Sequence, residues 1–283
     1  MNLVKAASGR ALLALVLVYL ALPVLVVVIF SVQEANRTGL PFEGPSLRWF
    51  DLVLNEEEFR DALLATVRVA AGAALTATAI AFLGALATAR GKVPMPGLIR
   101  GAGLLPLIVP PVFIGFAMLI AIDQFNITPS LFTVYLAHTL VTLPLAWAVM
   151  LARFDGFDFS VEEAARDLGA SRIKVLTRVT LPMTWRSLAG AALISFAFSV
   201  DEFVVTNFVI GNENTLPVLI FSRLRREIDP SINAIATLLL LTAILAGVLA
   251  WLVMRGDKDG GPDFDDEQNG TVEVTSGKER AVV

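Results

Sequence analysis

Residues 124–152 read QFNITPSLFTVYLAHTLVTLPLAWAVMLA, a run of 29 residues without Asp, Glu, Lys or Arg. The hydrocarbon core of a bilayer is about 30 Å thick, so a helix rising 1.5 Å per residue crosses it with about 20 apolar residues. The run is long enough to span a membrane, and its apolar part predicts a helix over residues 130–152.

Similar runs lie on both sides of this segment. They predict five more helices, over residues 11–30, 62–89, 98–122, 187–210 and 231–254. The run in 187–210 is interrupted only by Asp201 and Glu202. A globular protein would have to bury six such helices with few polar faces to cover them. The pattern therefore predicts an all-α membrane protein with six transmembrane helices.

The overall composition supports this class and excludes others. Charged residues make up 17% of the 283 residues, against about 25% in soluble domains, and the mean hydropathy is +0.72. The absence of Cys excludes disulfide and thiol chemistry, and a net charge of −4 argues against a nucleic-acid partner. No G-x-x-x-x-G-K-[ST] motif is present, so we expect no ATP bound to a P-loop, no cofactor and no enzymatic activity of the chain itself.

The distribution of Lys and Arg predicts the orientation. With six helices, the segments on one side carry 15 basic residues and those on the other carry six, while Arg68 lies near the outer end of the second helix. Cytoplasmic loops are enriched in Lys and Arg. We therefore expect a multi-pass protein of the cytoplasmic membrane with both termini in the cytoplasm.

The longest predicted cytoplasmic connection, residues 153–186, has the pattern of two short helices. Ser160 and Glu163 have the spacing of a capping box, and Gly169 is suited to end the first helix. Ser171 is suited to cap the second helix, and Pro182 predicts a bend toward the fifth transmembrane helix. The connection is thus expected to be a helix–turn–helix lying against the membrane.

The residues of this connection resemble the EAA loop of ABC-importer permeases. Glu163, Ala164, Ala165 and Gly169, followed by Val179-Thr180-Leu181-Pro182, match the family's EAA, Gly and I-x-L-P positions, with Val in place of Ile. In that family the loop forms a coupling helix that docks into a groove of the ATPase subunit. The resemblance implies a type I importer fold in which Glu163, Ala164, Ala165, Gly169, Leu181 and Pro182 couple the permease to the ATPase.

Weaker matches extend over most of the chain. The segments 154–158, 199–202, 216–218 and 230–234, together with Trp49 and Phe50, resemble the second permease subunit of spermidine/putrescine importers. This resemblance implies a dimer of ATP-binding cassette ATPase subunits, a second permease subunit and an extracytoplasmic solute-binding protein as partners, within the membrane lipid. The implied substrate is a polyamine.

Asp201 and Glu202 are expected in the middle of the fifth helix. A carboxylate at that depth is costly unless it faces a cavity or a partner, so intramembrane acids indicate function. Adjacent residues on a helix point about 100° apart, so one acid is able to face the pathway while the other contacts a neighbour, with Arg68 as one possible partner. Trp49, Phe203 and Phe208 are candidate aromatic walls for a polyamine. His138 is a second candidate for lining the pathway, but a lone intramembrane His more often forms interhelical hydrogen bonds, and we expect that role here.

Other functions fit some of these features. A permease for ferric iron, thiamine or a phosphonate shares the scaffold, and the chain lacks a carboxylate after Pro110-Pro111, where some polyamine permeases have one. Asp201 and Glu202 argue against an anionic substrate. A proton-coupled secondary transporter should lack an EAA loop and contain inverted repeats, and no convincing repeat is present. A membrane enzyme would need a catalytic constellation, which the sequence does not offer.

Residues 255–283 carry the whole net charge of −4. Eight acidic and four basic residues lie there, whereas residues 1–254 contain 18 of each. Low hydropathy and excess charge predict a disordered acidic cytoplasmic tail after a transmembrane domain of residues 1–254.

Overall fold

A computed structural model describes residues 2–91, 93–226 and 230–255, and the side chains of Leu12 onward in the first helix. The tail proposed for residues 255–283 lies outside the described residues except for Arg255. The helices are α1 (Asn2–Ser31), α2 (Arg48–Asn55), α3 (Glu57–Ala89), α4 (Pro96–Ala102), α5 (Leu105–Ile108), α6 (Pro111–Gln124), α7 (Leu131–Asp155), α8 (Ser160–Asp167), α9 (Arg172–Val175), α10 (Leu181–Asp201), α11 (Thr206–Val209), α12 (Leu216–Arg226) and α13 (Ser231–Arg255).

Within these ranges, five helical segments are long and apolar enough to cross a membrane: 12–31, 57–89, 131–155, 172–201 and 231–253. They overlap five of the six predicted helices, with α3 beginning five residues earlier than predicted. The chain is a multi-pass membrane protein of the all-α class.

The segment predicted as one helix over 98–122 is divided into α4, α5 and α6. Gly103 follows α4, Pro106 lies inside the single turn of α5, and Pro110 precedes Pro111 at the start of α6. Proline lacks the N–H that a continuous helix needs and its ring crowds the preceding turn, so each proline favours a new start. The 14 residues of α6 extend only about 21 Å, less than a bilayer core.

The centre of the molecule is formed by α3, α7, α10 and α13. Helix α3 packs against α7 and α10, while α10 also packs against α7 and α13. The buried side of α3 is rich in alanine, including Ala70, Ala73, Ala77, Ala81 and Ala85. Small side chains let helix backbones approach closely, which is the main source of helix association in a membrane. α1 lies outside this bundle against α13, with its described side chains largely exposed.

The predicted bend at Pro182 is wrong. The helix continues from Arg172 to Asp201, and residues Leu176–Thr180 form a π-helical turn just before Pro182. A wider turn relieves the contact between the proline ring and the previous turn. It also accommodates the loss of one helical hydrogen bond, because proline has no N–H. The second half of the EAA loop is therefore the beginning of the helical segment 172–201.

Candidate translocation and coupling sites

Asp201 and Glu202 lie at a helix break rather than in the middle of a helix, so the predicted position is wrong. α10 ends at Asp201, and Glu202 leaves the helical conformation with ψ 107°. Glu202 Oε1 accepts a hydrogen bond from the Val205 N–H at 2.9 Å. An acidic side chain that bonds to nearby backbone N–H groups competes with helix continuation, which accounts for the break. The chain then resumes in the short helix α11.

The two acids have different surroundings. Glu202 is 7% exposed and is used to hold the turn after α10, whereas Asp201 is exposed. Among the described residues neither acid forms an ion pair with Arg68, which lies at an outer cavity instead. Asp201 is therefore the acid whose charge is available to another molecule.

His138 connects α7 to both sides of this break. Its Nδ1 lies 2.6 Å from Ser199 Oγ on α10, and its Nε2 lies 2.7 Å from Thr206 Oγ1 on α11. Thr206 Oγ1 donates its proton to the Glu202 carbonyl at 2.7 Å. The Thr206 hydroxyl must then accept from Nε2–H, so Nδ1 accepts from Ser199. This arrangement assigns the tautomer and makes His138 an interhelical hydrogen-bonding residue.

The aromatic candidates have packing roles in the structure. Trp49 is 5% exposed, its Nε1 donates to the Gln33 carbonyl at 2.7 Å, and Arg48 covers its ring at 4.7 Å. Phe203 packs against Phe221 with ring centroids 4.6 Å apart. Phe208 closely approaches Gly115 on α6. These rings therefore support the helices around the break.

An outer cavity of about 390 Å³ was not anticipated from the sequence. Acidic and amide side chains from two segments line it, together with Arg68: Glu58, Asp61, Asn212, Glu213 and Asn214. Glu213 also accepts the Leu131 N–H at the start of α7, at 2.8 Å. Segments 58–68 and 212–214 are distant in sequence, so only the folded chain brings these charges together.

The predicted coupling residues lie on the connection between α7 and α10. Glu163, Ala164 and Gly169 are exposed, Ala165 and Leu181 are half-buried, and Pro182 is exposed in the first turn of α10. Leu168, next to Gly169, is 90% exposed. α8 thus presents a small, partly apolar exposed surface.

The ends of the short helices are only partly as predicted. Ser160 and Glu163 do not form the capping box; Asp158 Oδ1 instead accepts the Ser160 N–H at 2.9 Å. Hydrogen bonding by the Ser160 hydroxyl, and secondly by its N–H, lowers the pKa of Asp158. Gly169 has φ +81° and ends α8 in the left-handed conformation. Ser171 Oγ accepts the Lys174 N–H at 3.4 Å and caps α9.

Glu162, which precedes the EAA sequence, is the acid that the loop buries. It is 0% exposed, and its carboxylate accepts hydrogen bonds from Arg90, Arg166 and Thr180. Burial alone raises the pKa of Glu162, but the bonds from Arg90 and Thr180 and the charge of Arg90 outweigh it and hold the pKa below its ordinary value. Only the spacing of Glu162 and Arg166, four residues apart on a helix, hinted at this cluster in the sequence.

Comparisons with known proteins agree with the architecture. No family model matches the sequence. The chain is 30% identical over 247 residues to the spermidine/putrescine transport system permease protein PotC of Haemophilus influenzae, covering 87% of this chain and 96% of the relative. It is 32% identical over 254 residues to the putrescine transport system permease protein PotI of Escherichia coli, covering 85% and 88%.

Solved structures share the fold at low sequence identity. A bacterial ABC transporter involved in the import of the polysaccharide alginate superposes with a TM-score of 0.64 at 13% identity, over 90% of this chain and 96% of its own. The methionine transporter MetNI in an inward-facing conformation gives a TM-score of 0.52 at 13% identity, over 71% and 99%. From the identity and coverage of its relatives, the chain belongs to the PotC/PotI family of ABC-importer permease subunits.

Proposed function

We propose that the chain is one of two permease subunits of an importer for polyamines such as spermidine and putrescine. The observation that carries the substrate class is the pair Asp201 and Glu202 at a helix break of the bundle, where no basic side chain forms an ion pair with either acid among the described residues. A polyamine is an elongated cation with several ammonium groups, and carboxylates in a poorly hydrated pathway attract such a cation strongly. The names of the PotC and PotI relatives support the same class.

The two acids have separate roles in this proposal. Asp201 is exposed and interacts with an ammonium group of the substrate. Glu202 holds the turn between α10 and α11 through the Val205 N–H, and so it fixes the position of Asp201. Trp49 contributes by packing the outer end of the bundle rather than by stacking on the substrate.

The EAA loop is the proposed docking site for the ATPase. Glu163, Ala164, Ala165 and Gly169 form the surface that contacts one ATPase of a dimer, and Leu181 and Pro182 join that surface to α10. A second permease subunit completes the pathway, and an extracytoplasmic binding protein delivers the substrate. Both termini lie in the cytoplasm. Closure of the ATPases moves the loop and switches the pathway between outward and inward access.

Uptake of radiolabelled putrescine by the assembled transporter tests the substrate assignment. Asp201→Asn should raise the half-maximal concentration by about tenfold or more, since a hydrogen bond to a charged group is worth about 1.5–3 kcal/mol. Asp123→Asn, which changes an exposed acid at the end of α6, is the matched control. If Asp201→Asn together with Glu202→Gln left affinity and uptake unchanged, the assignment of these two acids to the polyamine pathway would be wrong.

A further inference from the structure

One buried carboxylate joins three elements at the cytoplasmic end of the molecule. Arg90, directly after α3, donates Nε to Glu162 Oε2 at 3.1 Å and Nη2 to Oε1 and Oε2 at 2.7 and 2.8 Å. Thr180 Oγ1 donates to Oε1 at 2.6 Å from the π turn, and Arg166 Nη2 donates to Oε2 at 2.9 Å from α8 itself. We call Glu162, Arg90, Arg166 and Thr180 the Glu162 cluster.

The surroundings make this cluster a strong and specific connection. Glu162 and Thr180 are both 0% exposed, so water does not compete for the carboxylate. A buried charge is tolerated only when it is paired and hydrogen-bonded, and the two-pronged contact with an arginine fixes direction as well as distance. Loss of a partner leaves a charge buried without compensation.

The position of the cluster matters because α8 is a short helix with few neighbours. α8 packs against α9 and the π turn, while Glu163, Ala164 and Leu168 face outward. Arg90 links α8 to the end of α3, and Thr180 links it to the helix that runs from Arg172 to Asp201. That helix ends beside Glu202, so the cluster lies between the proposed docking surface and the proposed pathway.

We propose that Glu162 is a positioning residue for energy coupling: through Arg90 and Thr180 it makes α8 move as one body with α3 and α10. The inference rests on the proposed docking of an ATPase at α8 and adds the residue that transmits the movement. The exposed surface of α8 then binds the ATPase, while its buried face is held to two membrane helices by one carboxylate.

The first test measures ATP hydrolysed per putrescine transported by the reconstituted transporter. Glu162→Gln and Arg90→Gln should each raise this ratio at least about fivefold, a typical size for coupling between sites, while ATP hydrolysis continues. The double variant should resemble either single variant, because the two residues act as one unit. A purely structural role would lower hydrolysis and transport together and leave the ratio unchanged, which would overturn the proposal.

The second test does not depend on the substrate. The chain has no cysteine, so spin labels can be attached to it at Asp167→Cys on α8 and Leu83→Cys on α3 alone, before it is assembled with its partners. In the assembled transporter the distance distribution should stay narrow with and without ATP. Glu162→Gln should broaden it when ATP is bound. Equal distributions in both proteins would refute the rigid connection.

Controls separate the cluster from general effects of charge removal. Asp155→Asn breaks the ion pair between Arg100 and Asp155, which joins α4 to α7 at the same side without touching α8, and it should leave the ratio unchanged. Thr180→Val removes only one hydrogen bond, and it should change the ratio in the same direction as Glu162→Gln but less. If Glu162→Gln fails to fold, Thr180→Val replaces it in both tests.

The variant Glu163→Arg separates the docking of the ATPase at α8 from the role of Glu162. It should prevent the ATPase from co-purifying with the permease, because it reverses a charge on the docking surface. Normal co-purification would overturn the docking assignment and the role of Glu162 with it. Loss of the ATPase in Glu163→Arg combined with a normal ratio in Glu162→Gln would overturn the role of Glu162 alone.

Discussion

At the residue scale, two neighbouring glutamates have opposite environments. Glu163 is exposed, whereas Glu162 is fully buried against Arg90 and Thr180. They differ by about 100° around α8, so one points away from the bundle while the other faces it. The EAA resemblance singles out Glu163, but the contacts of Glu162 depend on residues 72 and 18 positions away.

The lowered pKa of Glu162 predicts how its contribution to stability depends on pH. A carboxyl whose folded-state pKa is below its unfolded value of 4.5 stabilises the protein above that pH, and the contribution disappears as the pH falls through the folded pKa. The melting temperature of the wild type should therefore exceed that of Glu162→Gln by a constant amount from about pH 5.5 to 8. The difference should shrink below about pH 4.5. A difference that grew on acidification would contradict the ion pair.

Gly169 offers a second prediction at this scale. Its φ of +81° is unfavourable for any residue with a Cβ, although nothing lies within 4 Å of the site. Gly169→Ala should destabilise the native loop conformation by about 1–2 kcal/mol. Its population relative to other loop conformations should therefore fall about fivefold to thirtyfold. ATPase co-purification and putrescine uptake should both fall. Gly156→Ala, with φ −102° and equal space, should behave like the wild type.

At the element scale, irregular turns mark the segments near the two proposed sites. The π turn at Leu176–Thr180 lets the helix pass Pro182 and brings Thr180 to Glu162. The break after Asp201 separates α10 from α11, and His138 spans it with two hydrogen bonds. Such irregularities persist only where neighbouring groups satisfy the freed backbone, and π turns occur frequently at functional sites.

A packing prediction concerns the junction of α3, α4 and α7. The Trp147 ring lies between Gly84 and Gly103, and a Cβ at either glycine would overlap it. Trp147 Nε1 also donates to the Arg100 carbonyl at 3.1 Å, so the ring is not free to turn away. Gly103→Ala should destabilise the protein by about 1–3 kcal/mol and lower its melting temperature in detergent. Gly101→Ala, where nothing lies within 4 Å, is the control; equal melting temperatures would exclude the close contact.

At the scale of the whole molecule, α3, α7, α10 and α13 form a bundle with α1 on its outside. The EAA loop and the end of α3 meet at one end, and the acidic outer cavity lies at the other. A continuous helix from Arg172 to Asp201 extends about 45 Å between these regions. The bundle thus contains one continuous helix long enough to connect the proposed docking surface to the proposed pathway.

The orientation of the bundle gives a further prediction. The excess of Lys and Arg predicts that the EAA loop lies in the cytoplasm. A membrane-impermeant maleimide should label Leu40→Cys, a side chain that is 82% exposed, in intact cells. Asp167→Cys should react only after the cells are permeabilised, and the cysteine-free wild type should not react at all. The reverse labelling pattern would mean that both termini are outside.

The sequence by itself determined the membrane class, the approximate spans and the EAA resemblance. These depend on hydropathy over about 20 residues and on local spacing, which neighbours hardly modify. It also indicated that Gly169 and Ser171 end and begin helices, because caps are local. The division of 98–122 and the helix break at Glu202 also have local causes, the prolines and the contact between Glu202 and the Val205 N–H, but hydropathy alone does not show them. Tertiary structure decided the hydrogen bonds of His138 and the burial of Glu162. Both depend on side chains from distant segments meeting, and the free energy of a buried charge depends on those partners.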